Sequence, residues 1–416
     1  MYLSRLSTLL LFMVPNLFGA TLTIETAINQ FVKNNFDLQI ARQEADKSKA
    51  DLTTAQLHPN PILSGSYNSL DVMHHLSDTS AASAASTILH IDYPIELGGK
   101  RAHRIETANE GISYANVLFE ETKRKQFFTL INAYYQVQAD EADLTNAIAN
   151  SHDFRDLLVI AQAKLDHGFL SQMDFEKLQL QAIDYENDVN AYKAALSSDM
   201  EALAFLLSMN VKDVTLSPLV LPEDFSKSVD ELILNAQQNR SDCLAAQQNI
   251  KVANASVELE KANSIPDLTL GIEMENYAPT YSNPLVGISV AIPLPIYDRN
   301  QGAIQKARIT TLQAATQKSK ILYQAASEVR QAYIHYQSQL DIYASMQRGF
   351  ESARKLKEKQ EKIFAFKGIS ILELLDAQKS YREYQTNMTK SIVELHIALA
   401  NLKLYSGLPL IDSKGY

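Results

Sequence analysis

The feature that most constrains this chain is that it is written twice. Asp37, Ala41 and Pro61 return as Asp242, Ala246 and Pro266 at one constant offset of about 205 residues, and Leu63 returns as Leu268. Farther along, Tyr93-Pro94-Ile95 returns as Leu294-Pro295-Ile296, and the segment Gly168 to Asp174 returns as Gly368 to Glu373, the offset drifting to about 200. A chain of 416 residues with this period divides into two tandem copies of one long unit, residues 21–225 and 226–416. Two equivalent units point to a symmetric, oligomeric object in preference to a catalyst with one asymmetric site.

Proline placement assigns the elements. Beyond residue 20 every proline lies at 59–61, 94, 218–222, 266–295 or 409, and the stretches Arg101 to Ser217 and Gln301 to Leu408 contain none. Proline lacks an N–H and clashes with the preceding turn, so its exclusion marks helix interiors. Apolar residues there follow a three-four spacing: Leu130, Tyr134, Val137, Leu144 and Ile148 in one half, Leu322, Ala325, Val329, Ala332, Tyr336 and Tyr343 in the other. That is a coiled-coil-like seam between helices packed lengthwise. As one continuous helix, Arg101 to Lys164 would extend roughly 95 Å. A bundle folded back on itself is the alternative.

The proline-flanked zones read as strands at about 62–69, 87–94, 267–275 and 285–293. Leu268, Leu270, Ile272 and Met274 alternate with Thr269, Gly271, Glu273 and Glu275. Val286, Ile288, Val290 and Ile292 alternate with Gly287, Ser289 and Ala291. The first half repeats the pattern, with Leu63, Gly65 and Tyr67 against Ser64, Ser66 and Asn68, and Leu89, Ile91 and Tyr93 against His90 and Asp92. One apolar face opposite a small or acidic one suits a strand between lipid and water. A soluble sandwich would alternate in the same way, but the helical remainder of the chain offers no second sheet. Four strands cannot close a barrel, and an open edge in hydrocarbon leaves backbone groups unpaired, so the chain is expected to associate with copies of itself.

Residues 1–20 carry one positive charge, Arg5, an apolar run from Leu9 to Val14 and the small pair Gly19-Ala20, the pattern of a secretory signal peptide. The net charge of −10 disfavours nucleic acid as a partner. The single cysteine, Cys243, falls in a predicted helix, which excludes an intramolecular disulfide and suggests a buried small side chain. His74-His75 lacks accompanying ligands and neighbouring side chains in an extended segment point apart, so no metal site is assigned there. Gly98-Gly99-Lys100 is no phosphate loop, because Pro94 stands where its first glycine belongs. No Ser-His-Asp or Cys-His set stands out; neither enzyme activity nor a cofactor is expected.

The order of elements, the entry Pro59-Asn60-Pro61, and the strand exits Pro94-Ile95-Glu96-Leu97-Gly98-Gly99-Lys100-Arg101 and Pro293-Leu294-Pro295-Ile296-Tyr297-Asp298-Arg299-Asn300-Gln301-Gly302 resemble the TolC family of outer-membrane efflux channels, in particular its heavy-metal, CzcC-like branch. The resemblance covers nearly the whole mature chain. It implies a mainly α fold with a transmembrane β part: a homotrimer in which each chain gives four strands to a twelve-stranded β-barrel and its helices to an α-helical barrel in the periplasm. It also implies a periplasmic adaptor protein and an inner-membrane pump as partners, with no catalysis in the channel. Alternatives are a drug or type I protein-secretion duct of the same fold, or a non-conducting periplasmic coiled-coil scaffold.

Within Ile371 to Ala377 the resemblance points to Glu373 and Asp376 as carboxylates of a periplasmic gate; as plain helix chemistry they are solvated acids favoured by the dipole of a helix start. The family's constraining arginine, four residues before the first acid, is Ile369 here, so closure depends on other contacts. The turns at Gly168 with Asp174, and at Gly368, are the expected adaptor contacts, glycine tolerating the positive φ such turns need. Glu273 and Glu275 are candidate lumen acids. Asp298-Arg299-Asn300 reads as a strand-to-helix corner with a capping side chain, and Lys100, Arg101 and Arg104 are expected to face water at the inner membrane boundary.

Overall fold

The computed structural model describes residues 21–68, 85–210, 214–223, 225–278, 284–366 and 370–410. Eight helices and four strands alternate along them: α1 (Ile24–Asn34), α2 (Phe36–Ala55), β1 (Ile62–Asn68), β2 (Ala85–Ile95), α3 (Lys100–Asp166), α4 (Gln172–Leu207), α5 (Val229–Asn239), α6 (Ser241–Asn263), β3 (Leu268–Ala278), β4 (Leu285–Ala291), α7 (Gln301–Phe366) and α8 (Ile371–Tyr405). α3 is unbroken over 67 residues and α7 over 66, so neither folds back on itself. The residues segregate into two units, one of 1–41, 120–241 and 322–416, the other of 42–119 and 242–321.

The all-helical unit holds three apolar clusters. In the first, Ile28 and Phe31 of α1 pack with Leu130, Tyr134 and Val137 of α3 and Leu203 and Leu207 of α4; in the second, Ile233 and Ala236 of α5 pack with Val329 and Tyr336 of α7 and Leu399 and Leu402 of α8. The helix starts match as well. Thr23 and Ser228 each close a capping box, their hydroxyls accepting from the third helical N–H, which satisfies donors the first turn cannot bond internally. The joints differ in chemistry. Asn35, between α1 and α2, donates to the Leu206 carbonyl at 3.0 Å; Arg240, between α5 and α6, donates to the Tyr405 carbonyl and to Glu328. Arg240 is only 1% exposed. The seam departs from its expected spacing in one place: Ile148 is exposed and Ala147 is the buried residue beside it, because a straight helix drifts off a fixed repeat.

The second unit carries one antiparallel sheet of order β1-β2-β3-β4. β2 and β3 pair along eleven residues from Ala85↔Ala278 to Ile95↔Leu268. β2 thus begins before residue 87, and β3 runs past 275, because strands extend as far as the ladder offers partners. β4 ends at Ala291, before the Ile292 of the predicted alternation. Cys243 is buried in α6, as expected.

Candidate functional site

The cross-strand register decides what each face of the sheet presents. Rows such as Leu89↔Met274↔Val286 and Ile91↔Ile272↔Ile288 lie on one face, and these side chains are exposed, Ile288 to 84%. A patch of this kind left facing water would forgo about 25 cal/mol of stabilisation per Å² of apolar surface, so it suits contact with hydrocarbon. Among the described residues no helix is long and apolar enough to cross a membrane. The exposed apolar face therefore belongs to the strands, and β1 and β4 are the edges of the sheet.

The opposite face carries Ser64↔His90↔Glu273↔Gly287 and, one row along, Ile62↔Asp92↔Gly271↔Ser289. His90 Nε2 lies 2.7 Å from Asp92 Oδ1, and its Nδ1 lies 3.5 Å from Glu273 Oε2. Two glycines make room for this triad. A Cβ on Gly271 would stand 2.2 Å from Ser289 Oγ and 2.6 Å from His90 Nε2, and one on Gly287 would stand 2.6 Å from Glu273 Oε1. The alternation identifies Glu273 and Glu275 as polar-face acids, but the grouping of His90 and Asp92 with Glu273 needs the register. A strand glycine signals close approach, and Gly271 and Gly287 were the available clue. Glu275 is apart from the triad, in a row with Ile88 and Leu285, so this face is less uniformly polar than alternation suggests. The ring nitrogens of His90 address different carboxylates, and among the described residues no three His, Cys, Asp or Glu converge as metal ligands.

At the strand-to-helix corners, Lys100 does not face water. It is 9% exposed and donates to Asp267 Oδ1 at 2.7 Å, which also accepts the Leu97 N–H at 3.0 Å; a long ammonium side chain so enclosed needs a carboxylate partner. Arg104 is likewise tied to Glu96, and Arg101 donates to the Gln56 carbonyl at 2.8 Å. Asn300, at φ 58°, forms the other corner, where Asp298 Oδ1 accepts the Asn300 N–H at 2.9 Å. The Asn300 amide donates to the Glu260 carbonyl at 2.8 Å.

In the helical unit, Gly168 adopts φ +75° where α3 turns into α4, the left-handed conformation anticipated for it. Ser171 caps α4, and Asp174 accepts from Ser171 and from Lys177, contacts that hold its carboxyl below the usual range. Phe169 is 79% exposed at the tip, and Met173 is exposed beside it. Gly368 and Ile369 lie outside the described residues, as do His74 and His75. Glu373 and Asp376, three apart on the first turns of α8, share its exposed side, while Ile371, Leu374 and Ala377 are buried.

Sequence spacing missed a polar seam joining hairpin α3/α4 to hairpin α7/α8. Asp153 meets Lys357 at 3.3 Å, Asn150 donates to Gln385 at 2.7 Å, Tyr185 donates to Gln378 at 2.6 Å, and Arg382 pairs with Asp188 at 2.6 Å while lying 4.3 Å from the Tyr185 ring centroid. Gln378 in turn donates to Glu361, whose carboxyl is raised by burial. These residues are far apart in sequence and carry no shared period, so only the packing reveals them.

An antiparallel four-stranded sheet with one lipid-suited face, joined to long helical hairpins, defines the class of outer-membrane channel proteins. The model of that class described as outer membrane efflux protein matches residues 27–208 and 232–408, and the chain belongs to this family and resides in the outer membrane. Among relatives, the cobalt-zinc-cadmium resistance protein CzcC of Cupriavidus metallidurans is 26% identical over 293 residues, covering 70% of this chain and 68% of the relative. The cation efflux system protein CusC of Escherichia coli K12 is 22% identical over 407 residues, covering 92% of this chain and 86% of CusC. A crystal structure of CusC superposes with a TM-score of 0.76 at 18% identity, covering 92% of each chain. The outer membrane protein VceC of Vibrio cholerae superposes at 0.74 and 16% identity, covering 93% of this chain and 96% of VceC. The expected fold and the resemblance to the heavy-metal branch are both borne out.

Proposed function

We propose that the chain is the passive outer-membrane duct of a tripartite efflux system for heavy-metal cations. Three copies supply four strands each to a twelve-stranded barrel, two from each tandem repeat, and a periplasmic adaptor and an inner-membrane pump provide coupling and energy. The chain itself does no catalysis. The observation that carries this reading is the sheet with open edges at β1 and β4 and a continuous apolar face. Unpaired edges are intolerable in hydrocarbon, and closure by further copies removes them. The relatives named for cobalt, zinc and cadmium resistance and for cation efflux support the choice of cargo.

In this reading Glu273, with His90 and Asp92, and Glu275 line the lumen, and Glu373 and Asp376 ring the periplasmic entrance, where carboxylates concentrate cations. The tips carrying Gly168, Asp174 and Gly368 meet the adaptor; the exposed Phe169 and Met173 suit such a contact. The Asp153–Lys357 and Asp188–Arg382 pairs serve as closing contacts in the absence of an arginine at Ile369.

Single-channel recording of the purified protein in planar bilayers tests this. Conductance with cation preference and block by divalent ions is expected, both reduced in Glu373→Gln/Asp376→Asn. Absence of conductance overturns the duct, and unchanged selectivity and block in the variant overturn the gate. Loss of cobalt, zinc or cadmium tolerance on gene deletion is the expected sign of metal cargo; retained tolerance with new sensitivity to organic toxicants would reassign it.

A further inference from the structure

The four strands contain no lysine or arginine. Their acids are Asp92, Glu273 and Glu275, and His90 is the one side chain in them able to hold a positive charge. All four lie on the polar face. His90 and Asp92 are two apart on β2, Glu273 faces His90 from β3, and Glu275 is one row farther along β3. From β1 and β4 come Ser64, Gly287 and Ser289, none of them charged. The charged groups facing the imidazole from the strands packed beside it are therefore all carboxylates.

Glycines set the geometry of this group. The Cβ that Gly271 lacks would lie 2.6 Å from His90 Nε2 and 2.9 Å from Asp92 Oδ1, and the one that Gly287 lacks would lie 2.6 Å from Glu273 Oε1 and 2.9 Å from Glu273 Cγ. The ring and both carboxylates thus lie over bare backbone, along the wall of the sheet, and their side chains are 21%, 31% and 45% exposed for His90, Asp92 and Glu273. A neutral imidazole has one N–H and one lone pair, so it can donate to Asp92 at 2.7 Å or point its proton at Glu273 at 3.5 Å, but not both. The imidazolium serves both. The tandem repeat does not duplicate this set: Asn68 and Ala291 stand where the offsets of Leu63 to Leu268 and Tyr93 to Leu294 would repeat Glu273 and His90.

We propose that His90 sets the charge of the duct's wall, and with it the strength of the duct's preference for cations; this rests on the reading of the polar face as the lining of a conducting lumen. With the imidazolium in place, one carboxylate of the strands is offset by a positive charge held against it. Loss of the proton leaves all three carboxylates without a counter-charge, and every copy around the axis repeats the change, so the wall attracts cations more strongly. Histidine is the side chain whose charge ordinarily changes near neutrality, which brings this control into the range a cell's surroundings span. Cation preference therefore rises with pH.

The test is the reversal potential of single channels of the full-length protein in planar bilayers, under a potassium chloride gradient kept at or below about 0.1 M, where screening sets in beyond about 10 Å. Recordings are made at pH 6 and pH 9. The wild-type ratio of cation to anion permeability should rise by roughly twofold between them. His90→Gln should hold the wild-type pH 9 ratio at both values. His90→Lys, whose ammonium stays charged at both, should hold the pH 6 ratio. A role in packing alone would move both variants the same way, and either variant that assembles decides the matter. A wild type that conducts with one ratio at both pH values, or an assembled variant that keeps the wild-type rise, would overturn the role of His90 and leave the duct standing. A wild type that does not conduct would overturn both.

Discussion

Replacing Arg240 by Met is the most informative single change in the helical unit. The guanidinium is 1% exposed and donates to the Tyr405 carbonyl at 3.3 Å and to Glu328, whose side chain is 25% exposed and also accepts from Gln324 at 2.7 Å. Removing one member of a fully buried pair costs about 3–5 kcal/mol, because the remaining charge stays behind without its partner. Glu328 is partly wet and keeps Gln324, so the expected loss is smaller, about 2 kcal/mol for the charge and about 1 kcal/mol for the orphaned carbonyl. Met fills a similar volume, so a cavity adds little. The assay is a cycle of Arg240→Met, Glu328→Gln and the double variant, read by denaturant midpoint and by exchange of the 400–408 amides. Glu328→Gln alone should be strongly destabilising as well, and the double variant should recover more than half of the loss, since no unpaired charge is left. A double variant as unstable as the sum of the singles would refute the reasoning and assign the effect to packing alone.

Other expectations follow from close contacts and burial. Gly271→Ala should lower the temperature at which the proposed trimer dissociates on gels, because its Cβ would stand 2.2 Å from Ser289 Oγ and 2.6 Å from His90 Nε2; Gly65→Ala, with Leu89 Cδ2 at 3.4 Å, should not. His396 stacks on Tyr135 at 4.6 Å and meets the Val220 carbonyl, and burial lowers its pKa below the ordinary 6.5. The unfolded chain then binds the proton more readily, so this site's contribution is complete above 6.5 and declines on acidification. His396→Gln should reduce the loss of stability between pH 7 and 5, measured by denaturant midpoints; an unaltered loss would show that His396 is protonated without penalty.

Much of the architecture is legible from one-dimensional signals. Proline exclusion marks α3 and α7, alternation marks the strands, and the repeat of Asp37 and Pro61 at Asp242 and Pro266 announces that whatever the first half builds the second builds again. Gly168 could be assigned a turn because a positive φ is a local property of one residue. The site is less legible. Lys100 looks like a surface cation until Asp267 closes over it from 167 residues away, and the triad of His90, Asp92 and Glu273 exists only because β2 pairs with β3 across the two halves.

By itself, then, the sequence determined the elements, their order and the amphipathic face of each strand, since these depend on steric and hydration preferences repeated over short windows. Tertiary structure alone decided which polar groups meet: Arg240 with Glu328, Lys357 with Asp153, and Lys100 with Asp267. Periodicity constrains which way a side chain points along its own helix or strand. It carries no information on the partner that arrives from a distant segment, and buried charges take their energy from that partner.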